Sequence, residues 1–234
     1  MTLPEGWEAL PELTGCRLVP AVFGVGLNYR SYAEQIGKPL PEYPLIFMKQ
    51  GNAVIADGEA IRLPQFLAAD EVDYEGELGV IIGRPCRNCS EEEALDHVAG
   101  YVCANDVSAR DWQFRKGGGQ FVRGKTFDTF CPLGPRVVPA SRIPDPQALA
   151  LRTWVNGELR QEGHSSDMIF TVGQLIAFLS GSTTLLPGTV ILTGTPGGTG
   201  SGQSPPCFLK PGDRGEVEIQ GIGRLSNPVE AEAS

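Results

Sequence analysis

Acidic residues alternate along one short stretch of the chain, EVDYEGELGVIIG, at residues 71–83. A strand would send Asp73, Glu75 and Glu77 to one face, with neighbouring carboxylates about 7 Å apart. One hard cation can bridge two carboxylates at that spacing. The apolar run GVIIG predicts that the strand enters the interior, where unpaired carboxylates would cost several kcal/mol. The pattern therefore predicts a divalent-cation site, although a solvated acidic strand edge has the same spacing.

A third oxygen ligand is available in YVCANDVSARDW, residues 101–112, where Asp106 follows an apolar run. Three carboxylates would leave positions of an octahedral Mg²⁺ open for water and for a chelating substrate. Shortly after Asp106, residues 110–125 carry five cations and one acid. This basic segment could attract an anion, or it could be a solvated loop.

Composition limits the class of protein. The chain has 234 residues, a formal net charge of −9 and 41% hydrophobic side chains, which predicts one large domain with a substantial core. The acidic balance argues against nucleic acid as a partner. No apolar run is as long as a membrane span, and the first residues lack the basic and apolar regions of a secretory signal. We therefore expect a cytoplasmic protein that does not bind membranes.

The six cysteines are too few and too scattered for a disulfide scaffold, so we expect reduced thiols. The one close pair, Cys86 and Cys89, has the CxxC spacing but lacks the second pair that a structural zinc site requires. The spacing by itself therefore predicts no site.

Strand-like runs and a few short helices follow one another without regular β-α alternation, which indicates the α+β class. The strand-like runs are RLVPAVFGVG, PLIFMK, EGELGVIIG, HVAGYVCAND, LRTWVNGELRQEG, TVILTGTP and GEVEIQGIGRL. Within the fifth run, Asn156-Gly157 predicts a type I′ hairpin turn. The predicted helices are NYRSYAEQIG, SEEEALDHV and TVGQLIAFLSG, and the last two begin with capping boxes at Ser90 and Thr171.

The glycine-rich segment, residues 193–206 (TGTPGGTGSGQSPP), does not predict a nucleotide-binding loop. It has no Lys-Ser/Thr pair, and prolines replace the helix whose N-terminus would hold a phosphate. We expect a mobile loop after a strand.

Six segments, in order and spacing, resemble the fumarylacetoacetate hydrolase (FAH) superfamily: DYEGELGVIIG, ANDVSARDWQFR, GKTFDTFCPLGP, VNGELRQEG, MIF and LTGTP. The resemblance runs from about residue 24 to about residue 229. It is closest to the short domain-containing protein 2 branch, whose relatives include acylpyruvate hydrolases, oxaloacetate decarboxylases and oxaloacetate tautomerases. It implies a β-rich mixed β-sandwich roll with a few short helices. The catalytic domain would span residues 24–234, after an N-terminal extension of residues 1–23.

The resemblance also implies a homodimer and a set of site residues. Glu75, Glu77 and Asp106 would bind Mg²⁺ or Mn²⁺, and Lys125 would lie beside the metal. A small anionic 2-oxo acid would be the substrate, and the residues implied to contact it are Lys49, Arg110, Gln113 and Thr195, the last through a substrate carboxylate. Ion pairing with the ligand carboxylates is an alternative or additional role for Lys125 and Arg110.

One motif departs from the family pattern. Family members that hydrolyse carbon-carbon bonds carry NYxxHxxE, in which the His and Glu activate water, whereas this chain has NYRSYAEQ. Tyr32 and Gln35 stand in those two positions, and neither a phenol nor an amide is a base at neutral pH. His97 falls in a predicted helix, and His164 in a hairpin segment is a candidate replacement base. The catalytic candidates are therefore Lys125, Tyr32, Gln35 and His164.

The altered motif favours chemistry that needs no activated water. Decarboxylation and keto-enol tautomerisation of a chelated 2-oxo acid share an enolate, whereas hydrolysis also needs a base. We therefore expect a Mg²⁺-dependent tautomerase (isomerase) or decarboxylase for oxaloacetate-like or 2,4-dioxo acids. Three alternatives stay open: a carbon-carbon hydrolase of the acylpyruvate or fumarylacetoacetate type, a catalytically inactive metal-binding relative, and an enzyme redirected to an unusual ring-forming or isomerising step. In a eukaryote, the mitochondrial matrix is an alternative compartment.

Overall fold

The computed structural model describes residues 3–8 and 19–233, and its main feature is a pair of packed mixed β-sheets. The first sheet has seven strands. In spatial order they are β2 (Leu45–Lys49), β1 (Val22–Gly26), β12 (Val190–Leu192), β6 (Gly76–Ile82), β7 (Val98–Asn105), β9 (Cys131–Pro139) and β3 (Val54–Ile55). Neighbouring strands are antiparallel except for β1 with β12 and β3 with β9, which are parallel.

The second sheet has five strands and covers one face of the first. In spatial order they are β11 (Glu158–His164), β10 (Ala150–Val155), β13 (Arg214–Ile219), β14 (Gly223–Ala231) and β4 (Ile61–Leu63). A separate two-stranded sheet joins β5 (Val72–Asp73) to β8 (Ser108–Ala109). This arrangement confirms the predicted β-rich, mixed-sheet class.

β6 is the central strand of the core, and all seven of its residues are buried. Leu78 and Val80 lie in the cluster between the two sheets, where Val217 of β13 also packs. Ile81 points the other way, into a second apolar cluster. Because both faces of β6 are covered, its sequence is nearly continuously apolar and does not alternate with polar residues.

Within the described residues, four short α-helices complete the fold. They are α1 (Arg30–Gln35), α2 (Glu91–Ala94), α3 (Val122–Lys125) and α4 (Val172–Ser180). Both predicted capping boxes are present, at the first residues of α2 and α4. The hairpin turn is confirmed too, since Asn156 and Gly157 have φ of 54° and 78° between β10 and β11. A one-turn π-helix, Trp112–Lys116, was not predicted. No helix in the described ranges is long and apolar enough to span a bilayer.

Two expectations about the chain's organisation need correction. The predicted boundary between residues 23 and 24 falls inside β1, which lies between β2 and β12 in the first sheet. Part of the predicted N-terminal extension also belongs to the core, because the indole of Trp7 is buried in the same apolar cluster as Val22. Both segments therefore pack with the same sheets as the rest of the described chain.

Removing the N-cap of α4 should destabilise the protein without changing its fold. The Thr171 hydroxyl accepts the backbone N–H of Gln174 at 3.2 Å, and the Gln174 side chain accepts the N–H of Thr171 at 3.0 Å. We expect Thr171→Ala to lower the free energy of unfolding by about 1 kcal/mol in urea titrations followed by circular dichroism. Thr184→Ala, at an exposed position, is the control and should change it by less than about 0.5 kcal/mol.

Candidate metal and substrate site

The predicted acidic stretch is divided between two strands. β5 ends at Asp73 and pairs with β8, whereas β6 begins at Gly76 in the large sheet. The expectation that Asp73, Glu75 and Glu77 line one face of a single strand is therefore wrong. The chain leaves one sheet and enters another between Asp73 and Gly76, and Asp73 takes a different role from the other two acids.

Glu75, Glu77 and Asp106 form a buried carboxylate triad. Each offers one oxygen, and these oxygens all lie within 4.8 Å of one another. Antiparallel pairing of β6 with β7 sets Glu77 opposite Ala104, and the N–H of Asp106 donates to the carbonyl of Glu75 at 2.8 Å. Strand pairing therefore fixes the backbone positions of all three acids.

Two buried lysines form ion pairs with two of the three acids. Lys125 Nζ donates to Glu75 Oε2 and to Asp106 Oδ2, each at 2.6 Å. Lys49 Nζ donates to the second Asp106 oxygen at 2.5 Å. Burial alone would raise the pKa of Glu75, but Arg110 and Lys125 outweigh burial and hold that pKa at about 2. These two lysines therefore neutralise carboxylates that would otherwise be unpaired in the interior.

Glu77 differs from its neighbours because no described lysine or arginine forms an ion pair with it. Its Oε2 accepts the backbone N–H of Gly194 at 2.7 Å. Burial, then Asp106 and then Glu75, raise the pKa of Glu77 well above its usual value. A divalent cation would remove this repulsion, and carboxylates are its preferred ligands.

The charge balance of the whole cluster supports the same conclusion. Its buried acids are Asp73, Glu75, Glu77 and Asp106, and its buried cations are Lys49, Arg110 and Lys125. The acids outnumber the cations by one, so the residues present fit a bound divalent cation at the triad.

A cavity of about 210 Å³ opens beside the triad. Its polar lining residues are Tyr32, Lys38, Glu75, Glu77, Gln113, Lys125 and Thr195, and its apolar wall consists of Val25, Leu27, Ile36, Leu45, Phe47, Phe114 and Phe121. Phe121 packs edge-on against both Phe47 and Phe114, with ring centroids 6.2 and 5.8 Å apart. Because Ile36, Leu45 and Phe114 are exposed, they mark the mouth of the cavity.

This apolar wall was not predicted from the sequence. Phe121 lies inside the basic segment, which was interpreted by its charge alone. Phe47 lies in a predicted strand, and nothing in its neighbourhood along the chain distinguished it from a core residue. The available signal was the pair of phenylalanines, Phe114 and Phe121, on either side of a run of three glycines.

The α1 region supplies two polar side chains to the cavity. Tyr32 is buried, and burial raises the pKa of its hydroxyl, which stays protonated at neutral pH and can donate a hydrogen bond. After the helix, Gly37 has a φ of 64°, and the N–H of Lys38 donates to the carbonyl of Ala33 at 3.0 Å, as in a Schellman motif. This turn brings Lys38 to the cavity, where its side chain is exposed.

Gln35 does not line the cavity and instead ties α1 to the glycine-rich segment. Its side-chain oxygen accepts the N–H of Gly198 at 2.8 Å. One turn earlier in α1, Ser31 Oγ accepts the N–H of Gly197 at 3.3 Å. The side chain predicted as catalytic is therefore occupied with a backbone hydrogen bond.

Asp73 also forms hydrogen bonds with the glycine-rich segment. Its carboxylate accepts the N–H groups of Gly200 at 2.7 Å and Ser201 at 2.9 Å. Arg110 joins this anchor to the triad, because its Nε donates to Asp73 at 2.8 Å and its Nη2 to Glu75 at 2.7 Å. A continuous chain of hydrogen bonds thus runs from α1 to a predicted metal ligand.

Arg110 and Gln113, both predicted to contact substrate, have different positions. Arg110 is buried and is not one of the residues that line the cavity. Its Nη1 donates to Gln113 Oε1 at 2.9 Å. Because the Gln113 oxygen accepts this bond, the NH₂ group of Gln113 is left to donate to a ligand in the cavity.

Three further predicted residues are already engaged. Lys49 does not line the cavity and pairs with Asp106. His164 is exposed at the end of β11, and its Nδ1 lies 2.7 Å from the Ser166 hydroxyl, outside the cavity lining. Thr195 lines the cavity, but its hydroxyl donates to a main-chain carbonyl at 2.9 Å.

Comparisons with known proteins agree with the fold. Residues 21–230 match the family model described as fumarylacetoacetate (FAA) hydrolase C-terminal. The chain is 47% identical over 205 residues to the mitochondrial oxaloacetate tautomerase of Xenopus laevis. The aligned part covers 88% of this chain and 64% of the length of that relative.

Two solved structures show the same architecture. The 5-carboxymethyl-2-hydroxymuconate delta-isomerase from Mycobacterium smegmatis superposes with a TM-score of 0.81 at 42% identity, covering 93% of this chain and 81% of the other. The fumarylacetoacetate hydrolase from Exiguobacterium antarcticum gives 0.84 at 41% identity, covering 92% and 76%. The fold is a mixed β-sandwich with a buried acidic site. The chain belongs to the fumarylacetoacetate hydrolase family.

Removing the unpaired acid should abolish metal stabilisation. We expect Mn²⁺ or Mg²⁺, at 100 times the dissociation constant, to increase the free energy of unfolding of the wild-type protein by about 2.7 kcal/mol. The melting temperature should rise accordingly. The shift should vanish in Glu77→Gln, whose stability in EDTA should equal or exceed that of wild type because a buried unpaired charge is gone. Calorimetry with and without EDTA measures both effects. Glu230→Gln, at an exposed position, should keep the full shift, and an undiminished shift in Glu77→Gln would exclude the site.

The link between α1 and the glycine-rich segment can be tested by hydrogen exchange. Gln35→Met keeps the side-chain length but removes the acceptor, so the Gly198 amide should exchange up to about 10-fold faster. Gln35→Glu keeps an acceptor and should retain protection. Mass spectrometry of the peptide that contains residues 193–206 is the measurement. Glu34→Met, at an exposed position in α1, is the control, and equal exchange in all four proteins would contradict the link.

Proposed function

We propose that this protein is a divalent-metal-dependent enzyme that enolises small 2-oxo acids. It would act as a tautomerase (isomerase) or decarboxylase on oxaloacetate-like or 2,4-dioxo acids, with Mg²⁺ or Mn²⁺ at Glu75, Glu77 and Asp106. The observation that carries the proposal is a cavity that joins this triad to Tyr32 and contains no histidine among its lining residues.

A bound divalent cation would supply Lewis-acid polarisation of the 2-oxo acid and neutralise developing negative charge. The side chains around it have separate tasks. Lys125 donates to Glu75 and Asp106 and adds positive charge to the same end of the cavity. Gln113 presents its NH₂ group as a donor to a substrate oxygen, since its carbonyl oxygen is held by Arg110.

Tyr32 is the candidate proton donor. Its hydroxyl lines the cavity, and its raised pKa keeps the proton in place at neutral pH. A protonated phenol can donate a hydrogen bond to an enolate oxygen or return a proton to the substrate carbon. It does not remove a proton from water, which is the step that hydrolysis requires. The substitution at residue 32 therefore supports enolisation over hydrolysis.

The apolar wall bears on the substrate's remaining part. A 2-oxo acid held at the polar lining would extend its other end along Phe47 and Phe121 towards the mouth. Lys38, which is exposed, is also one of the lining residues. A short apolar acyl group, or one that ends in a carboxylate, suits this lining.

Carbon-carbon hydrolysis is the second candidate, because a fumarylacetoacetate hydrolase is among the similar structures. In this chain it would need water activated without the usual His and Glu, since His164 is exposed outside the cavity lining. A metal-binding relative without turnover is the third candidate. The homodimer, and a location in the cytoplasm or a mitochondrial matrix, stay predictions.

One assay separates these candidates. The purified protein is incubated with oxaloacetate or acetylpyruvate, with Mg²⁺ or with EDTA, while enol absorbance and product acids are followed together. We expect Mg²⁺-dependent enol-keto conversion, with or without pyruvate release from oxaloacetate. Acetate and pyruvate from acetylpyruvate would instead establish hydrolysis. Metal binding without any conversion would establish the inactive relative.

Tyr32→Phe should lower the rate of enolisation by about 10²-fold, because the proton donor is lost while the ring is kept. The melting temperature in the presence of Mg²⁺ should be unchanged, since Tyr32 is not a predicted ligand. Tyr43→Phe, at a position that is 65% exposed, is the matched control and should keep wild-type activity. Full activity in Tyr32→Phe would remove the proposed role of this hydroxyl.

A further inference from the structure

The turn between β6 and α2 brings two thiols together, and neither thiol takes part in the proposed reaction. Cys86 and Cys89 are both free, and their sulfur atoms lie 3.0 Å apart. A disulfide bond is about 2.05 Å long, so closure requires a relative movement of about 1 Å. The CxxC spacing, which predicted nothing by itself, thus corresponds to a pair of sulfurs in direct contact.

The main chain holds these two residues in place. Cys86 exchanges two backbone hydrogen bonds with Leu185, at 3.0 and 2.9 Å. The N–H of Asn88 donates to the carbonyl of Ser180 at 2.9 Å, and the N–H of Cys89 donates to the Ser180 hydroxyl at 3.3 Å. The turn is therefore attached to the end of α4 and to the segment that follows it. The proximity of the sulfurs follows from this attachment, and no flexible side chain has to reach across a gap.

The two thiols differ in access and in reactivity. Cys89 is half-buried, and its sulfur lies 3.3 Å from the Ser180 hydroxyl. Cys86 is fully buried in the main apolar cluster, and burial raises the pKa of its thiol to about 11. A reagent from solvent therefore meets Cys89 first. Once Cys89 has reacted, Cys86 is the thiol close enough to attack its sulfur.

We propose that Cys86 and Cys89 form a reversible disulfide by exchange with a small-molecule disulfide such as glutathione disulfide. The Cys89 thiolate attacks one sulfur of the reagent, which breaks the reagent's S–S bond and releases one small thiolate. The Cys86 thiolate then attacks Cys89 Sγ and releases the second. Two protein thiols are oxidised to one disulfide, the reagent is reduced to two thiols, and the released thiolates take up the two protons.

This modification site is independent of the metal site. β6 starts at Gly76, beside the triad, and ends at Ile82, shortly before Cys86. The disulfide would close a turn under α2 and α4, at the opposite end of that strand. Its expected consequence is slower local opening of the turn, seen as stronger hydrogen-exchange protection of the Cys86 and Asn88 amides in the oxidised protein.

The sequence offers a direct test. The full-length protein is incubated with glutathione disulfide, quenched with acid, alkylated and digested with trypsin. Trypsin cleaves after Arg87, between the two cysteines, but not after Arg84, because Pro85 follows it. The disulfide should therefore join the peptides of residues 63–87 and 88–110 covalently. Reduction should separate them, and joining should proceed faster at pH 9 than at pH 7, since more Cys86 is then ionised.

Single variants identify the cysteines involved. Cys89→Ser should give no joined peptides, whereas Cys86→Ser should leave Cys89 carrying one glutathione. Joined peptides in Cys89→Ser would assign the bond to Cys103, which lies in the same tryptic peptide, and would overturn the proposal. Wild-type protein that gains only bound glutathione, or that does not react while still folded, would overturn it as well.

Discussion

The structure depends on pairing several carboxylates with cations inside an apolar core. Glu75 and Asp106 tolerate burial because Lys125 donates to both, at 2.6 Å each. The supporting cations come from three separate elements: Lys49 ends β2, Arg110 follows β8 and Lys125 ends α3. Removing one partner of a buried pair costs about 3–5 kcal/mol, so the acid triad also constrains the packing of these elements. The buried acids of the cluster outnumber its buried cations by one, and this excess fits the divalent cation that we propose.

A second constraint connects this cluster to the helix at the cavity mouth. Gln35 of α1 is hydrogen-bonded to the glycine-rich segment, and that segment is hydrogen-bonded to Asp73. Arg110 donates hydrogen bonds to both Asp73 and Glu75. Each step is a hydrogen bond of 2.7 to 2.8 Å between buried or half-buried groups. Movement of α1 would therefore disturb Glu75, a predicted metal ligand, and an ordered Glu75 would favour the position that α1 has in this structure. The chain thus uses residue 35 as a structural link, where relatives that hydrolyse carbon-carbon bonds carry a catalytic carboxylate.

Local sequence was sufficient wherever the decisive interaction spans a few residues. The capping boxes of α2 and α4 and the Asn156-Gly157 turn were predicted because a side chain or a φ angle satisfies its own neighbours. A cation site near these acids was predicted because acids two apart beside an apolar run are costly to bury unless cations neutralise them, and the family resemblance implied which three acids form it. β9 was missed for the converse reason. Its three prolines argue against an interior strand, but Pro135 falls where the register against β7 shifts, and a ladder bond is not needed there.

The sequence by itself determined which groups are acids, which helices begin where, and that the usual imidazole base is absent from its motif. Only the tertiary structure decided which groups meet. Asp73 is not part of the triad because the chain changes sheets between β5 and β6. His164 lies outside the cavity because β11 is the edge strand of the second sheet. Cys86 and Cys89 touch because the turn is bound to the end of α4. These outcomes depend on contacts between residues far apart in the chain, whose energies no local pattern contains.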